Sequence, residues 1–376
     1  MASSVSEDLG RLVTDLVAIE SVNPDLVAEG SGETKIAAFV AGWLRSEGLP
    51  VEVLEPVAGR PSVVAVVPGS GGGRSLMLNA HLDTVGVGGM AEPFSPRIEG
   101  GRIHGRGAYD MMGSLAAIML AAREAKKLRL QGDLIVTAVA DEEVASLGTS
   151  AVLDRFRADA AIVTEPTELR LCLAHKGFVW LEVEVRGRAA HGSRPDLGVD
   201  AIARSGPILT GVGELDARLR RGRRHPLLGT GSIHASLIEG GQELSTYPAR
   251  CLVRLERRTI PGEDGRTALG ELEQLVAASA VDAGARVLLE RAPSDVSPQS
   301  PVAAAVAAAA GSPELVGAAY WMDMALINGA GIPAVAFGPA GEGAHADVEW
   351  VDVASLERCL RVYLGAAAAI CGPDRT

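Results

Sequence analysis

The spacing of apolar side chains predicts helices in the first fifty residues and buried strands after them. Apolar residues recur every three to four positions over 7–19 and again over 34–47, which is the helical period. Later segments are short, mostly apolar runs, and they lie over 51–54, 63–67, 76–79, 134–140 and 160–163. A further helix is predicted between these runs, over 113–128. Such runs interleaved with helices indicate an α/β sheet that is covered on both faces.

The pattern changes after residue 176. Positions 178–188 alternate between apolar and polar side chains, which predicts a half-exposed antiparallel strand. The elements that follow are a helix, two strands, a helix and a strand, over 199–218, 232–238, 249–259, 265–283 and 286–290. The order β-α-β-β-α-β predicts a small α+β domain inserted into the larger one.

The last part of the chain returns to the first pattern. The stretch 292–301 is rich in proline and serine and is predicted to be a linker. An apolar strand at 334–337 and a helix from 354 would complete the larger domain. We therefore predict a larger domain in two segments, 1–176 and 291–376, with an inserted domain over 177–290.

Composition and charge exclude several classes of protein. Of the 376 residues, 47% are hydrophobic, which is enough for a packed core and excludes a disordered chain. The net charge of −12 argues against a protein that coats nucleic acid or an anionic membrane, because both need a basic surface. The longest apolar stretch, 301–310, is too short to span a bilayer. The first residues lack the pattern of a secretory signal, so a soluble cytoplasmic protein is expected.

The cysteines and several histidines match no motif. Cys172, Cys251, Cys359 and Cys371 form no C-x-x-C pair, and nothing marks an oxidising compartment, so buried free thiols are expected. Four histidines are expected at the surface, namely His104, His175, His225 and His234.

Acidic and imidazole side chains follow the ends of the predicted strands, except for Asp110, which lies just before the helix predicted from residue 113. They are His81, Asp83, Asp110, Glu142, Glu143, Glu165 and His345. In an open α/β sheet, ligands gather beyond the carboxyl ends of the strands, so these side chains are predicted to share one rim. Imidazole and carboxylate suit zinc, cobalt or manganese, and two such ions need a bridging carboxylate. The set therefore predicts a pair of divalent ions.

Each piece alone also has an ordinary structural explanation. His81-x-Asp83 is compatible with a solvated strand end, and a Glu-Glu pair with a charged turn. Asp110 is compatible with an acid favoured by a helix dipole, and Glu165 with a turn before proline. In the metal interpretation, the Asp83 carboxylate would accept the second imidazole N–H of His81.

Six sequence blocks, in order, resemble the signature blocks of one family. They are LNAHLDTV (78–85), GRGAYDMMG (105–113), ADEEVASLG (140–148), VTEPT (163–167), GRAAHGSRP (187–195) and GP…AHxxxE (338–349). The chain is similar to the dinuclear-zinc amidohydrolases and peptidases, which include acetylornithine deacetylase, succinyl-diaminopimelate desuccinylase, aminoacylase and glutamate carboxypeptidase. The resemblance covers nearly the whole chain. It implies a zinc-peptidase-like catalytic domain, with a mixed central sheet flanked by helices, and an inserted α+β lid and dimerisation domain.

The resemblance implies a set of metal ligands. His81 and Glu165 would bind one zinc ion, and Glu143 and His345 would bind the other. Asp110 would bridge the two. The cofactor is thus expected to be two divalent ions per chain, foremost zinc, with cobalt or manganese as alternatives.

The resemblance also implies four further functional residues. Asp83 would support His81. Glu142 would be the general base that takes a proton from the bridging water and passes it to the leaving amine. His191 would reach the active site of a partner subunit and stabilise the oxyanion; the alternative is a surface histidine at a strand end. Arg258 would hold a substrate carboxylate, or else pair with Glu256 on the strand face.

The activity that follows is hydrolysis of the amide bond of an N-acyl amino acid by a metal-bridging hydroxide, as in acetylornithine deacetylase or succinyl-diaminopimelate desuccinylase. A dipeptidase or carboxypeptidase of the same chemistry is the alternative, and a non-catalytic binding protein is a third. A homodimer through the inserted domain is expected, and no nucleic acid or membrane partner. The chain departs from the family pattern in two places, and the second, at a position that helps hold substrate in relatives, weakens the choice of substrate by analogy. Asp110-Met-Met-Gly-Ser replaces the usual Asp-Met-Lys-Gly-Gly, and an asparagine usual near 245–248 is missing.

Overall fold

The described chain, residues 5–373 of a computed structural model, divides into two units. The first unit consists of the chain up to Leu173, Val296–Val316 and the chain from Met322 onward. The second consists of Ala174–Asp295 together with Gly317–Trp321. The outermost residues of the two predicted catalytic segments, 1–4 and 374–376, lie outside the described residues. The predicted limits of the inserted domain, 177 and 290, stay a prediction.

The helices and strands of the described residues follow one another along the whole chain. The helices are α1 (Val5–Val17), α2 (Thr34–Ser46), α3 (Gly113–Ala125), α4 (Leu147–Arg155), α5 (Ala201–Leu219), α6 (Gly265–Ala278), α7 (Pro301–Ala310), α8 (Met324–Gly329) and α9 (Val353–Ile370). The strands are β1 (Val51–Leu54), β2 (Ser62–Val67), β3 (Leu76–His81), β4 (Arg97–Glu99), β5 (Arg102–His104), β6 (Leu134–Val139), β7 (Ala160–Val163), β8 (Leu171–His175), β9 (Gly177–Arg186), β10 (Ser232–Gly240), β11 (Arg250–Thr259), β12 (Ala283–Arg291), β13 (Ser294–Asp295), β14 (Leu315–Ala318), β15 (Ala334–Ala336), β16 (Gly341–Glu342) and β17 (Trp350–Asp352).

The first unit is built on a mixed sheet in which the strands lie in the order β1-β2-β6-β3-β7-β15-β8. Strands β6, β3, β7 and β15 run parallel, whereas β1, β2 and β8 pair antiparallel with their neighbours. Every residue of β3 and β6 is buried, because helices such as α3 and α9 cover the sheet. The prediction of a mixed central sheet flanked by helices is confirmed.

The second unit contains a four-stranded antiparallel sheet in the order β10-β11-β9-β12. Its core contains Val179, Leu181, Val183 and Val185 of β9, the apolar face predicted from the alternation. Helix α5 contacts β10, and helix α6 contacts β12. The observed order β9-α5-β10-β11-α6-β12 is the predicted β-α-β-β-α-β.

The pattern missed several elements. The unpredicted elements are the helices α4, α7 and α8, the strands β8, β13 and β14, and the short sheet β16-β17-β5-β4. Two- and three-residue strands carry no measurable period, and α7 consists almost wholly of alanine and valine. All four cysteines are buried and free, as predicted. The expectation for His175 was wrong: it is fully buried in β8, and burial lowers the pKa of its imidazole to about 4.

No helix among residues 5–373 combines the length and the apolar character that crossing a bilayer requires.

Candidate active site

The parallel strands bring the predicted site residues to one edge of the sheet. His81 is the last residue of β3, and Glu165 follows β7. The register pairs Asn79 with Val163, so two residues further on His81 and Glu165 come side by side. Because β6 also runs parallel to β3, the turn after it delivers Glu142 and Glu143 to the same edge. The remaining two residues come from irregular segments: Asp110 from the turn before α3 and His345 from the loop after β16.

Asp110 lies between the two histidines. One of its carboxylate oxygens, Oδ1, is 3.1 Å from His81 Nε2, and the other, Oδ2, is 3.2 Å from His345 Nε2. His81 Nε2 is also 3.8 Å from Glu165 Oε1, and His345 Nε2 is 3.2 Å from Glu143 Oε1. The site therefore contains two groups of three possible ligands that share Asp110, and within each group the ligand atoms lie within 4.8 Å of one another.

The spacing of these atoms fits small divalent ions. Ligands at about 2.0–2.1 Å from a tetrahedral ion stand roughly 3.3 Å apart, and the observed separations of 3.1–3.8 Å lie close to that value. His81 Nδ1 is 2.8 Å from the carbonyl oxygen of Asp83, so this nitrogen donates to that oxygen, and Nε2 is the nitrogen that would bind a metal ion once its own proton is lost. Imidazole and carboxylate donors in this arrangement can hold two ions with Asp110 between them.

The electrostatics of the site reflect an excess of carboxylates. Burial tends to raise the pKa of Asp110, but hydrogen bonds from His345 and His81 outweigh it and hold that pKa below its ordinary value. Hydrogen bonds to Asp110 and Glu143 raise the pKa of His345 to about 10. Burial, reinforced by the charge of Asp110, raises the pKa of Glu165 to about 8. The cluster thus concentrates negative charge that protons or cations must balance.

The carboxylate of Asp83 has a different contact from the one predicted. Its Oδ1 is 3.8 Å from His81 Nδ1, beyond hydrogen-bond distance, and it is the Asp83 backbone carbonyl that accepts the imidazole N–H. The carboxylate instead accepts the backbone N–H groups of Glu142 and Glu143, at 3.1 and 3.2 Å. Asp83 therefore orients the histidine through its main chain and the Glu142-Glu143 turn through its side chain.

Glu142 lies beside the two groups without belonging to either. Glu142 is half-buried, and its backbone N–H donates to the Asp83 carboxylate. Burial raises the pKa of its carboxyl well above the ordinary value, and the nearby charges of Glu165 and Asp323 add to this. A carboxylate in such surroundings is suited to accept a proton during a reaction.

Glu349 is a structural contributor to which the sequence assigned no role. Its buried carboxylate accepts the backbone N–H groups of Gly107, Tyr109 and Asp110 at 2.9–3.0 Å, and Arg106 Nη1 at 2.7 Å. These bonds hold the turn that carries Asp110. Its place four residues after His345 in the last sequence block was the only available signal.

Asp323 was missed altogether. It lies at the start of α8, is fully buried, and accepts a hydrogen bond from the Thr149 hydroxyl. Its charge raises the pKa of both Glu142 and Glu165. No strand was predicted directly before it and it stands in none of the six blocks, so the sequence offered no signal.

His191 and Arg258 belong to the second unit and are described within it. His191 is exposed, and its Nδ1 is 2.8 Å from Ser193 Oγ. Arg258 Nε donates to Glu256 at 2.7 Å, which is the salt bridge weighed as the alternative to substrate binding. The functional roles of both residues stay predictions.

Comparison with known proteins identifies the family. Residues 77–369 match the model described as peptidase family M20/M25/M40. The chain is 32% identical to acetylornithine deacetylase of Myxococcus xanthus, with 97% of this chain and 98% of that protein covered. Two solved structures share the fold, and in each case the match covers 97% of this chain and 98% of the solved chain. Aminopeptidase PepT of Bacillus cereus has a TM-score of 0.78 at 19% identity, and a dinuclear metal-binding M20 peptidase of Bacillus subtilis a TM-score of 0.72 at 18%.

The resemblance predicted from the six sequence blocks is therefore confirmed. The third alternative, a non-catalytic binding protein, is excluded. The chain belongs to peptidase family M20/M25/M40 and is a metal-dependent hydrolase of amide bonds.

Proposed function

We propose that the protein removes the acyl group from N-acyl amino acids, using two divalent metal ions per chain. The observation that carries the proposal is the position of Asp110, which has one oxygen toward His81 and the other toward His345. The similarity to an acetylornithine deacetylase over nearly the full length of both chains supports an acyl amino acid as the substrate. Zinc is the ion proposed, with cobalt or manganese as alternatives of the same ligand preference.

Five side chains would hold the ions. His81 and Glu165 would bind one, Glu143 and His345 the other, and Asp110 both. Ions in this position supply Lewis acidity, which polarises the amide carbonyl and makes water a better nucleophile.

Glu142 would move the proton. Its carboxylate takes a proton from the attacking water as the water oxygen forms a bond to the carbonyl carbon. The C–N bond then breaks, that proton passes to the nitrogen of the leaving amine, and the acid product releases the second proton of the water. The backbone N–H groups of Glu142 and Glu143 both donate to Asp83, and these hydrogen bonds fix the position of the base relative to the neighbouring ligand. The products are a carboxylate and a free amino acid.

His191 and Arg258 would complete the site from the second unit. His191 would donate a hydrogen bond to the developing oxyanion in a partner subunit. Arg258 would bind the carboxylate of the substrate, exchanging its present partner Glu256 for it. The predicted inserted domain, 177–290, would thus act as a lid and as the dimerisation domain.

The β10 edge of the four-stranded sheet in the second unit supports the proposal of a homodimer. Strand β10 lies at the end of the strand order and exposes Leu237 and Ile238, which are 60% and 54% accessible. An unpaired strand edge with exposed apolar side chains is a surface that a second copy can cover.

We expect light scattering to show twice the chain mass of 38.8 kDa for the wild type. Leu237→Lys should shift the protein toward the monomer, because it places a charge in the covered surface. Leu288→Lys on β12, the opposite edge, is the matched control and should remain a dimer. A wild-type monomer would contradict the dimer and, with it, the action of His191 in a partner subunit.

A substrate panel tests the proposed function. With zinc or cobalt supplied, release of free amine is measured from N-acetyl, N-succinyl and N-formyl amino acids beside dipeptides. We expect turnover of at least one acyl amino acid class, with kcat/KM at least tenfold above that for any dipeptide. Turnover of dipeptides alone would replace the proposal by the dipeptidase or carboxypeptidase alternative.

A cytoplasmic location is also proposed. It is supported by the four buried cysteines, which all remain free thiols.

A further inference from the structure

The turn that carries Glu142 and Glu143 begins with a residue in an unfavourable conformation. Asp141 directly precedes them and has φ of +67°, in the left-handed region. A residue other than glycine keeps such a conformation only where its surroundings hold it there. The direction of both glutamates therefore depends on what holds Asp141.

Asp141 is held from two sides by side chains distant in the sequence. Its Oδ1 accepts hydrogen bonds from Arg60 Nη2 at 2.8 Å and from Asn23 Nδ2 at 3.0 Å. Its backbone N–H donates to Glu33 Oε1 at 3.2 Å. Arg60 in turn binds both oxygens of Glu33, through Nε at 2.7 Å and Nη2 at 2.8 Å.

Asn23 connects this arrangement to the turn a second time. Its Nδ2 also donates to Asp83 Oδ2 at 2.8 Å, and the Asp83 carboxylate accepts the N–H groups of Glu142 and Glu143. The backbone of Asn23 is itself fixed, since its N–H donates to the carbonyl of Thr84 at 2.9 Å. One amide group thus links the carboxylates on both sides of the turn.

The network is poorly suited to stabilising the fold. Glu33, Asp83 and Asp141 are buried carboxylates. Arg60, which is 5% accessible, pairs with Glu33 and Asp141 and also with the exposed Asp25. Asp141 Oδ2 is buried with no hydrogen-bond partner among residues 5–373. Apolar side chains of similar volume would stabilise such a position as well or better, so a different role explains the charges more directly.

We propose that Arg60 and Asn23 are positioning residues, which act through Asp141 and Asp83 to aim Glu142 and Glu143 at the metal site. They touch neither the ions nor the substrate. The inference rests on the proposed function, in which Glu143 is a metal ligand and Glu142 the proton carrier. Displacement of a reacting group by about 1 Å can lower a rate by about 100-fold, so loss of either positioning residue is expected to affect catalysis strongly.

The test compares Arg60→Lys and Asn23→Ala with the wild type. Lysine keeps the charge but cannot bind Glu33 and Asp141 together through one planar group. Two quantities are measured: the zinc dissociation constant, by competition with a chelating indicator, and kcat with KM on the best acyl amino acid. We expect zinc binding to weaken and kcat to fall, each by about 10–100-fold, with KM changed less than threefold.

Arg123→Lys is the matched control. Arg123 also binds two carboxylates, Asp8 and Glu124, each at 2.9 Å. Neither of these two carboxylates is a candidate site residue. Its variant should keep the zinc affinity and the kcat of the wild type, even if thermal unfolding shifts as much as in Arg60→Lys.

Each outcome decides the question. Zinc affinity and kcat within twofold of the wild type in both variants would overturn the inference, and so would equal losses in Arg123→Lys. If Arg60→Lys does not fold, Asn23→Ala decides alone; if neither folds, the network is structural and the inference fails. A wild type that neither binds zinc nor releases amine would instead overturn the proposed function itself.

Discussion

Replacing Glu142 with glutamine is expected to lower kcat by about 10²–10⁴-fold and to leave metal binding intact. Glutamine has nearly the same shape, but its amide cannot accept the proton of the attacking water, and general base catalysis contributes a factor of this size. Glu142 belongs to neither group of possible metal ligands, so both ions should remain bound. The measurements are steady-state hydrolysis of the best acyl amino acid and metal content by mass spectrometry.

The control for this variant is Glu314→Gln, which removes an exposed carboxylate of the first unit. It should behave as the wild type in both measurements. Activity of Glu142→Gln within tenfold of the wild type would show that another group carries the proton. A loss of metal from this variant would show instead that Glu142 is a ligand, and the assignment of base and ligand would have to be exchanged.

Replacing Asp110 with asparagine is expected to abolish activity and to reduce the metal content from two ions per chain to one or none. Each oxygen of Asp110 faces a different histidine, at 3.1 and 3.2 Å. Asparagine keeps one of these oxygens, and its NH₂ group cannot bind a cation. We therefore expect zinc affinity to fall by more than about 100-fold, beyond the range typical of residues that only support a ligand.

Asp8→Asn provides a matched comparison. Asp8 also lies between two cationic side chains, Arg11 and Arg123, at 2.9 Å from each, and is 8% accessible. Its replacement should lower the stability of the fold by about 1–3 kcal/mol but leave both ions bound. If Asp110→Asn kept two ions per chain with unchanged affinity, the shared-ligand arrangement would be wrong.

The kinds of elements in this protein could be predicted from its sequence. The buried strands β3, β6 and β7 are mostly apolar runs without strict alternation, and the alternation in β9 indicates a strand with one covered face. These patterns are local, since each records how a few consecutive side chains divide between core and solvent. Short strands such as β16 contain too few residues to show a period, and they appear only once their partners are in place.

The residue types of the site could be predicted for a related reason. A metal pair requires imidazoles and carboxylates at strand ends, and His81, Glu143 and Glu165 stand there in the sequence. The contacts between them could not be predicted, because the atoms involved come from segments far apart in the chain. Only the folded chain shows that the Asp83 carboxylate turns toward the Glu142-Glu143 backbone, and that its main chain orients His81.

The sequence by itself determined the family and the α/β architecture, and it named the candidate metal ligands. The tertiary structure decided which side chains surround them. Asn23 and Arg60 donate hydrogen bonds to Asp141, Glu349 accepts one from the backbone of Asp110, and Asp323 is buried nearby. The physical reason is one of range. Burial and element type follow from neighbouring side chains, whereas a hydrogen bond between residues separated by tens or hundreds of positions exists only when the sheet and its helices have brought them within about 3 Å of each other.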